Sequence, residues 1–389
     1  MIARIFIPIL LAIIVPDLYF DVHYLRYRPH FTWWRRLLWW MPSIFLFIYT
    51  IVLVSTCNFV PDDLTWLNIY LLLVGLIAIP KALIAFCSFL GQVYCRLRHT
   101  HVNRGIRVGF ILSLGALYVL IYGSTVGVWK LKVKHVDIYS RDLPVHFDGY
   151  RIVHFSDAHT GTFSGKRAPI LARDVDSINA QHADMIVFTG DLQNMEPREI
   201  YPHIPVLTRL KAPDGVYAIL GNHDYSLYIK ANPAIGMANE RETANYERQL
   251  GWTLLRNEHR AVYRGQDSII IAGEENDGRK PFPMKADLSK TLRGVSASAY
   301  IVMLQHDQSA WRRHILPGSS TQLTLSGHTH GGQFSLFGLR PTQLAYREDN
   351  GLYLDGDRAL MVSPGIGGVV PFRFGLSPEI EVITLHQLK

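Results

Sequence analysis

Apolar positions crowd into four near-continuous stretches before about residue 130 and then break into short runs. The stretches are Ile5–Phe20, Leu37–Val54, Leu67–Leu90 and Val108–Val128. They are close to, or longer than, the roughly 18 residues a helix needs to cross a bilayer core. Pro16 and Asp17 interrupt the end of the first stretch, and Pro42 lies in the second. The third carries one charge, Lys81 beside Pro80, and the fourth carries none. The first stretch lacks a convincing small-residue cleavage site and is followed by further apolar segments, so a signal peptide is a poor reading. Lys81 reads as a lone charge, and no intramembrane polar pair suggests transport.

Past Trp129 the period falls to two. Leu131, Val133 and Ile138 alternate with Lys130, Lys132, Lys134 and Asp137, which predicts a half-exposed strand. Five short β-branched runs then end in polar residues. Arg151–Ser156 leads into Asp157-Ala158-His159, Met185–Thr189 into Gly190-Asp191, and Val216–Leu220 into Gly221-Asn222-His223-Asp224. Tyr300–Gln305 leads into His306, and Leu323–Leu325 into Ser326-Gly327-His328-Thr329-His330. Buried strands with polar residues just past their ends are how α/β folds gather a site at one sheet edge. Between the first two runs, Ile170, Leu171, Val175 and Ile178 recur at helical spacing, which predicts a βαβ unit. The fold class is therefore α/β, with a transmembrane region over 1–129 and a soluble domain over 130–389.

Charge sharpens this division. The net charge of +7 could suggest nucleic-acid binding. Yet ten Lys and Arg face only four Asp and Glu before residue 130, while the remainder is nearly balanced. No nucleic-acid partner is expected, because the soluble half has no basic bias. The excess clusters as Arg26, Arg28, Arg35 and Arg36 after the first stretch, and as Arg96, Arg98, Arg104 and Arg107 after the third. The loop between them holds Asp62 and Asp63. By the positive-inside rule the basic loops face the cytoplasm, and the fourth span carries the soluble half to the periplasmic or extracytoplasmic side. Lys130, Lys132 and Lys134 oppose that assignment. Trp33, Trp34, Trp39 and Trp40 read as an interfacial belt, with a cradle for lipid as the sharper alternative. Cys57, Cys87 and Cys95 all precede residue 130, so the soluble half has no disulfide and no thiolate metal site.

The polar residues past the five strands are carboxylates, an amide and imidazoles. Such donors suit Mn, Zn, Fe or Mg rather than soft metals. They are too many for one ion and about right for two ions roughly 3.5–4 Å apart, the spacing used to activate water against phosphorus.

The ordered series Asp157-x-His159, Gly190-Asp191-x-x-Asn194, Gly221-Asn222-His223-Asp224, His306 and Gly327-His328-Thr329-His330 resembles the calcineurin-like metallophosphoesterases. Gly331-Gly332-Gln333, Ser363–Gly367 and Pro378-Glu379-Ile380 resemble the membrane-associated bacterial branch. The resemblance covers about residues 130–389. It implies two facing mixed β-sheets flanked by helices, and a phosphoesterase using two divalent metal ions. Asp157, His159 and His330 would bind one ion, Asn222, His306 and His328 the other, and Asp191 both. His223 would sit near the leaving group as an acid or stabilise the transition state, with Asp224 orienting it from behind. Asn194 stands where Asp is common, and Asp307-Gln308 follows His306 where many members have proline soon after.

Several expectations go beyond the motif. Four spans exceed what anchoring needs, so a lipid or lipid-linked phosphate ester in the bilayer is the expected substrate. The alternatives are a broad phosphodiesterase merely tethered to the membrane and a non-catalytic metal-binding scaffold. Residues 225–250 are either a surface excursion or a lid that admits a lipid headgroup, and their charged second part, Asn239–Leu250, reads as helical. Arg373 either contacts a phosphate or packs structurally.

Overall fold

The computed structural model describes residues 6–55, 64–229, 232–280 and 282–388. Asp62, Asp63 and Cys57 lie outside the described residues. The chain divides into two compact units, Met1–Thr125 and Val126–Lys389.

Among the described residues the first unit contains four helices: α1 Phe6–Leu25, α2 Trp33–Ser55, α3 Leu64–Arg98 and α4 Gly105–Thr125. All are long and apolar enough to cross a membrane. The first three outrun their apolar stretches because the helices continue through flanking Trp, Tyr and Arg residues, whose stems stay apolar while their tips reach water. Leu11, Val15, Ile48, Phe86, Phe110 and Ile111 remain exposed around the bundle, as hydrocarbon-facing side chains should.

Two expectations for this unit change. Pro16 does not end α1, which runs on to Leu25. Lys81 is not a lone charge. Its Nζ lies 2.9 Å from Asp17 Oδ1, with Ser43 Oγ at 3.2 Å and the Trp39 carbonyl at 3.4 Å. One turn along α1, Asp21 accepts two hydrogen bonds from Arg36, at 2.6 and 2.5 Å. A charge in hydrocarbon requires a partner, and the residue that seemed to interrupt the first stretch is that partner. The want of intramembrane pairs therefore no longer argues against transport. A third polar cluster joins Tyr19 and Tyr24 to Ser88 Oγ, at 2.9 and 2.7 Å, with Asn103 and Gln92 donating to Tyr24.

The second unit holds twelve strands among the described residues: β1 Lys132–Ser140, β2 Arg151–Phe155, β3 Met185–Phe188, β4 Val216–Ala218, β5 Thr253–Leu254, β6 Glu258–Arg264, β7 Asp267–Gly273, β8 Tyr300–Leu304, β9 Leu323–Ser326, β10 Gly351–Asp355, β11 Arg358–Val362 and β12 Glu379–Gln387. They form two six-stranded mixed sheets, ordered β1-β12-β2-β3-β4-β5 and β10-β11-β9-β8-β7-β6. The βαβ unit is present, with α5 Ala168–Asn179 between the parallel strands β2 and β3.

Strand periodicity shows how the layers assemble. Ile152, Met185 and Val187 join Ile269, Val302, Leu323 and Met361 in the core between the sheets. Their neighbours Val153, Ile186 and Phe188 point the other way and pack on Ile170, Leu171 and Val175 of α5. Successive strand residues thus serve opposite faces, both buried, which explains why these runs read as continuous rather than alternating hydrophobics. A third core of Met303, Leu360, Trp311 and Ile315 covers the outside of the second sheet.

Candidate metal centre

The five motif-bearing runs are strands, and their C-terminal ends bring Asp157, His159, Asp191, Asn222, His306, His328 and His330 together. His159 Nε2 lies 3.2 Å from His330 Nε2, and His330 Nε2 lies 3.4 Å from Asp157 Oδ1. In the neighbouring group, Asn222 Oδ1 is 3.1 Å from His306 Nε2 and 2.6 Å from His328 Nδ1. Asp191 Oδ2 stands between the groups, 3.7 Å from His159 Nε2 and 3.2 Å from His306 Nε2.

The backbone is bent to achieve this. Asp157, His159, Asp191, His328 and His330 all have positive φ, between 46° and 78°. That region is disfavoured for residues with a β-carbon, and such strain concentrates at functional sites. Gly221 and Gly327 complete the arrangement by close approach. A β-carbon on Gly221 would overlap the Asp191 carboxylate, and one on Gly327 would overlap Ser156 Oγ and the Asp157 carboxylate.

The charges of the site fit divalent ions. Asp157 and Asp191 are fully buried, and their ion-pair partners are imidazoles. Burial pushes the Asp157 carboxyl up to about 6. Burial works against the charge on Asp191 too, yet the adjacent His306 ring holds it well below the usual carboxylate range. His159 is pushed down to about 3 by burial and by nearby His223, and His330 is pushed well down by burial and His159. The neutral imidazoles of His159 and His330 are what a metal ion requires of its ligands, whereas the His306 ring, which burial works against but the Asp191 carboxylate raises to about 10, would give up its proton to an ion bound there. Three groupings have donor atoms all within 4.8 Å of one another: Asp157–His159–His330, His159–Asp191–His223 and Asp157–Asp191–His306.

The residues expected to act catalytically sit differently from each other. The ring of His223 faces His159 edge-on at 4.9 Å and lies against Tyr228 at 4.4 Å. Its Nδ1 donates to the Asn194 carbonyl at 2.5 Å. The Asp224 carboxylate instead accepts backbone N–H groups of Asp191, Leu192 and Gly221, at 2.8, 2.9 and 2.8 Å. It braces the Asp191 loop, and the ring-holding role expected of it falls to Asn194. A main-chain carbonyl leaves no trace in residue identity, so nothing in the sequence pointed to this.

Tyr228 and Tyr346 also border the centre. Tyr228 accepts from Asn222 Nδ2 at 2.7 Å, and Tyr346 Oη lies 3.3 Å from His328 Nε2. The Phe282 ring stands edge-on to His328 at 4.7 Å. Tyr228 stands at the centre, and α6 Pro233–Gln249 includes nearly all of the segment expected to be helical, Asn239–Leu250, but starts six residues before it. Arg373 is fully buried and donates to the carbonyls of Pro364, Gly365 and Gly367, the structural alternative of its two readings.

Comparison with known proteins agrees with this geometry. Residues 150–332 match the family model for the calcineurin-like phosphoesterase, and residues 3–128 match that for the probable calcineurin-like phosphoesterase, transmembrane domain. The chain is 34% identical over 256 residues to the uncharacterized metallophosphoesterase YkuE of Bacillus subtilis (strain 168), covering 62% of this chain and 81% of that protein. It is 30% identical over 289 residues to a transmembrane protein with metallophosphoesterase domain of Danio rerio, covering 71% and 62%. It is 27% identical over 266 residues to an uncharacterized metallophosphoesterase of Aquifex aeolicus (strain VF5), covering 67% and 94%. The chain belongs to the calcineurin-like metallophosphoesterase family: it is a phosphoesterase hydrolase joined to a membrane region.

Proposed function

We propose that the protein hydrolyses a phosphodiester or phosphomonoester carried by a membrane lipid or lipid-linked molecule, with its catalytic unit on the extracytoplasmic side. The observation that carries dinuclear hydrolysis is the seat of Asp191, one carboxylate oxygen between His159 at 3.7 Å and His306 at 3.2 Å. Asp157, His159 and His330 would hold one divalent ion, Asn222, His306 and His328 the other, and Asp191 both. Bound there, the ions would neutralise phosphoryl oxygens and acidify the attacking water.

The chain's own residues supply the rest. Since His223 Nδ1 donates to a carbonyl, Nε2 is the nitrogen left to pass a proton to the departing oxygen. Asp224 keeps the Asp191 loop rigid through its backbone hydrogen bonds. Tyr228 and Tyr346, both only partly buried and in contact with Asn222 and His328, would border the substituent of a bound phosphate. Lipid substrates are favoured by a four-helix membrane region larger than an anchor requires.

The test is hydrolysis of a soluble phosphodiester and a matched monoester by the detergent-purified chain, metal-stripped and then restored with Mn or Zn. An Asp191→Ala control runs alongside. Metal-dependent turnover lost in the control is expected. Two bound ions with no turnover on soluble or lipid esters would instead establish a non-catalytic scaffold. A reporter fused after residue 389 tests the side, and cytoplasmic activity of that reporter would reverse the orientation.

A further inference from the structure

Between the centre residues His330 and Tyr346 the chain makes an excursion whose tip is apolar and wholly in water. Phe337 is 96% exposed, Leu344 94% and Leu339 72%, with Leu336 about half exposed. Single exposed apolar residues are ordinary on a protein surface, but a contiguous group of large ones marks a contact site.

The excursion is built, not slack. Phe334 bridges to Phe374, their rings stacked at 5.9 Å, and Ser335 N donates to the Phe374 carbonyl at 2.7 Å. Leu336 and Leu339 exchange two backbone hydrogen bonds at 3.0 Å, closing a two-residue hairpin. At the base Arg340 grips Asp349 with two hydrogen bonds, at 2.6 and 2.9 Å, and Thr342 adds a third at 2.8 Å. The Asp349 carbonyl in turn accepts from Thr329, between His328 and His330. The tip is thus rigidly tied to the metal centre.

The turn itself is an unfavourable place for its residue. Phe337 and Gly338 both have positive φ, 51° and 84°. Such hairpin turns strongly prefer Asn-Gly or Asp-Gly, because a bulky side chain is strained there. A phenylalanine that is both strained and fully hydrated is disfavoured twice over, and a contact outside the chain would offset that.

We propose that Leu336, Phe337, Leu339 and Leu344 enter the bilayer interface and hold the metal centre against the membrane surface. The occupant is argued from connectivity and chemistry. The catalytic unit begins at Val126, directly after a membrane helix that ends at Thr125, so a bilayer is always within tether reach. Protruding Phe and Leu tips suit the headgroup–acyl boundary, and Arg347, three residues past Leu344, keeps its side chain 77% exposed while its Nε lies 3.5 Å from Glu348, which leaves the guanidinium open to lipid phosphates. Because the excursion ends at Tyr346 against His328, an amphiphile could keep its tail in the bilayer with its phosphate at the centre. This last step rests on the lipid-ester reading above.

The test uses the full chain in nanodiscs containing lipids with nitroxide-labelled acyl chains. A polarity-sensitive dye is attached at Phe337→Cys in a Cys57→Ala, Cys87→Ala, Cys95→Ala background. Ser298→Cys, at the opposite end of β8 from His306, is the control. Blue-shifted emission and about fivefold stronger nitroxide quenching than at the control are expected for an interfacial site. Equal quenching at the two sites overturns the proposal. So does a dye at residue 337 that is shielded from aqueous iodide yet untouched by nitroxide, since that means a protein contact such as a second copy. In a separate arm, Phe337→Ser with Leu344→Ser should lower turnover of a vesicle-borne ester about tenfold and leave a soluble aryl ester within about twofold. An equal fall on both esters counts against the membrane role. The quenching result needs no turnover. A quenched dye on a chain that hydrolyses nothing would therefore sink the enzymatic reading and leave the membrane contact standing.

Discussion

His223 is held by Asn194 and not by its neighbour Asp224: the ring Nδ1 donates to the Asn194 carbonyl at 2.5 Å, while the Asp224 carboxylate is consumed by backbone N–H groups. The two residues should therefore fail differently. His223→Ala should lower turnover by about 10²–10⁴ with both ions retained, as loss of an acid does. Parallel loss of metal in that variant would remove the acid role. Asp224→Asn would place an amide N–H₂ against backbone donors and should lower stability by about 1–3 kcal/mol. Bound metal should fall with it, which thermal melting and metal analysis read together.

Gly327→Ala tests the close approach at Asp157. Its new methyl would meet Ser156 Oγ and the Asp157 carboxylate, both fully buried and unable to retreat. Metal affinity should drop at least about tenfold, as when a ligand's support is disturbed. Gly294→Ala, in an open position at positive φ, should cost stability alone. Equal metal binding by wild type and Gly327→Ala would show that the loop yields more readily than its packing implies.

Much of this was legible in the sequence because the relevant signals are local. Each strand and its polar end lie within ten residues, so Arg151–His159 or Leu323–His330 announces both the strand and the site. What escaped depends on distance or on the main chain. Lys81 and Asp17 are 64 residues apart, and one reads as a stray charge, the other as a helix interruption, until they meet. The Asn194 carbonyl holding His223 has no side-chain signature. Tyr346 follows the last motif by sixteen positions and reaches His328 only because the chain between them makes a tied excursion.

His314 gives the second unit a pH-dependent element away from the metal ligands. Its Nε2 lies 2.8 Å from Glu274 and its Nδ1 2.9 Å from Asp277. Burial works against the imidazolium, yet these two carboxylates raise it to about 9 from an ordinary 6.5. Because the folded value is the higher one, its stabilisation is fully present below about 6.5 and is lost as pH rises through about 9. Thermal midpoints should fall between pH 6.5 and 9.5 in the wild type and less steeply in His314→Gln. Parallel slopes would refute the linkage.

In the membrane unit, Lys81→Met should leave Asp17 buried with no cationic partner, since Asp17 has no exposure and Lys81 is its counter-ion at 2.9 Å. Breaking one side of a buried pair destabilises by about 3–5 kcal/mol, whereas replacing both sides with neutral groups is nearly neutral. Asp17→Asn with Lys81→Met should therefore melt closer to wild type than Lys81→Met alone. A double variant as unstable as the single would mean that the pair's other partners, Ser43 and the Trp39 carbonyl, dominate.

Arg373 offers the sharpest contrast between two readings of one residue. A phosphate-binding arginine would be reachable by substrate, and its loss would raise KM while leaving metal and fold intact. In the structure the guanidinium is fully buried and donates to the carbonyls of Pro364, Gly365 and Gly367. That strap is laid on Asp157, for Ile366 N donates to the Ser156 carbonyl at 3.0 Å and Gly367 N to the Asp157 carbonyl at 2.9 Å. Burial pulls the guanidinium down to about 10, so it remains charged at neutral pH. Arg373→Met leaves three carbonyls without that donor and frees the strap. Thermal stability and metal content should fall together, with KM for the remaining metal-loaded fraction within about twofold of wild type. A raised KM with unaltered melting and metal would instead make Arg373 a substrate contact, and the strap would then need another explanation for its hold on Asp157.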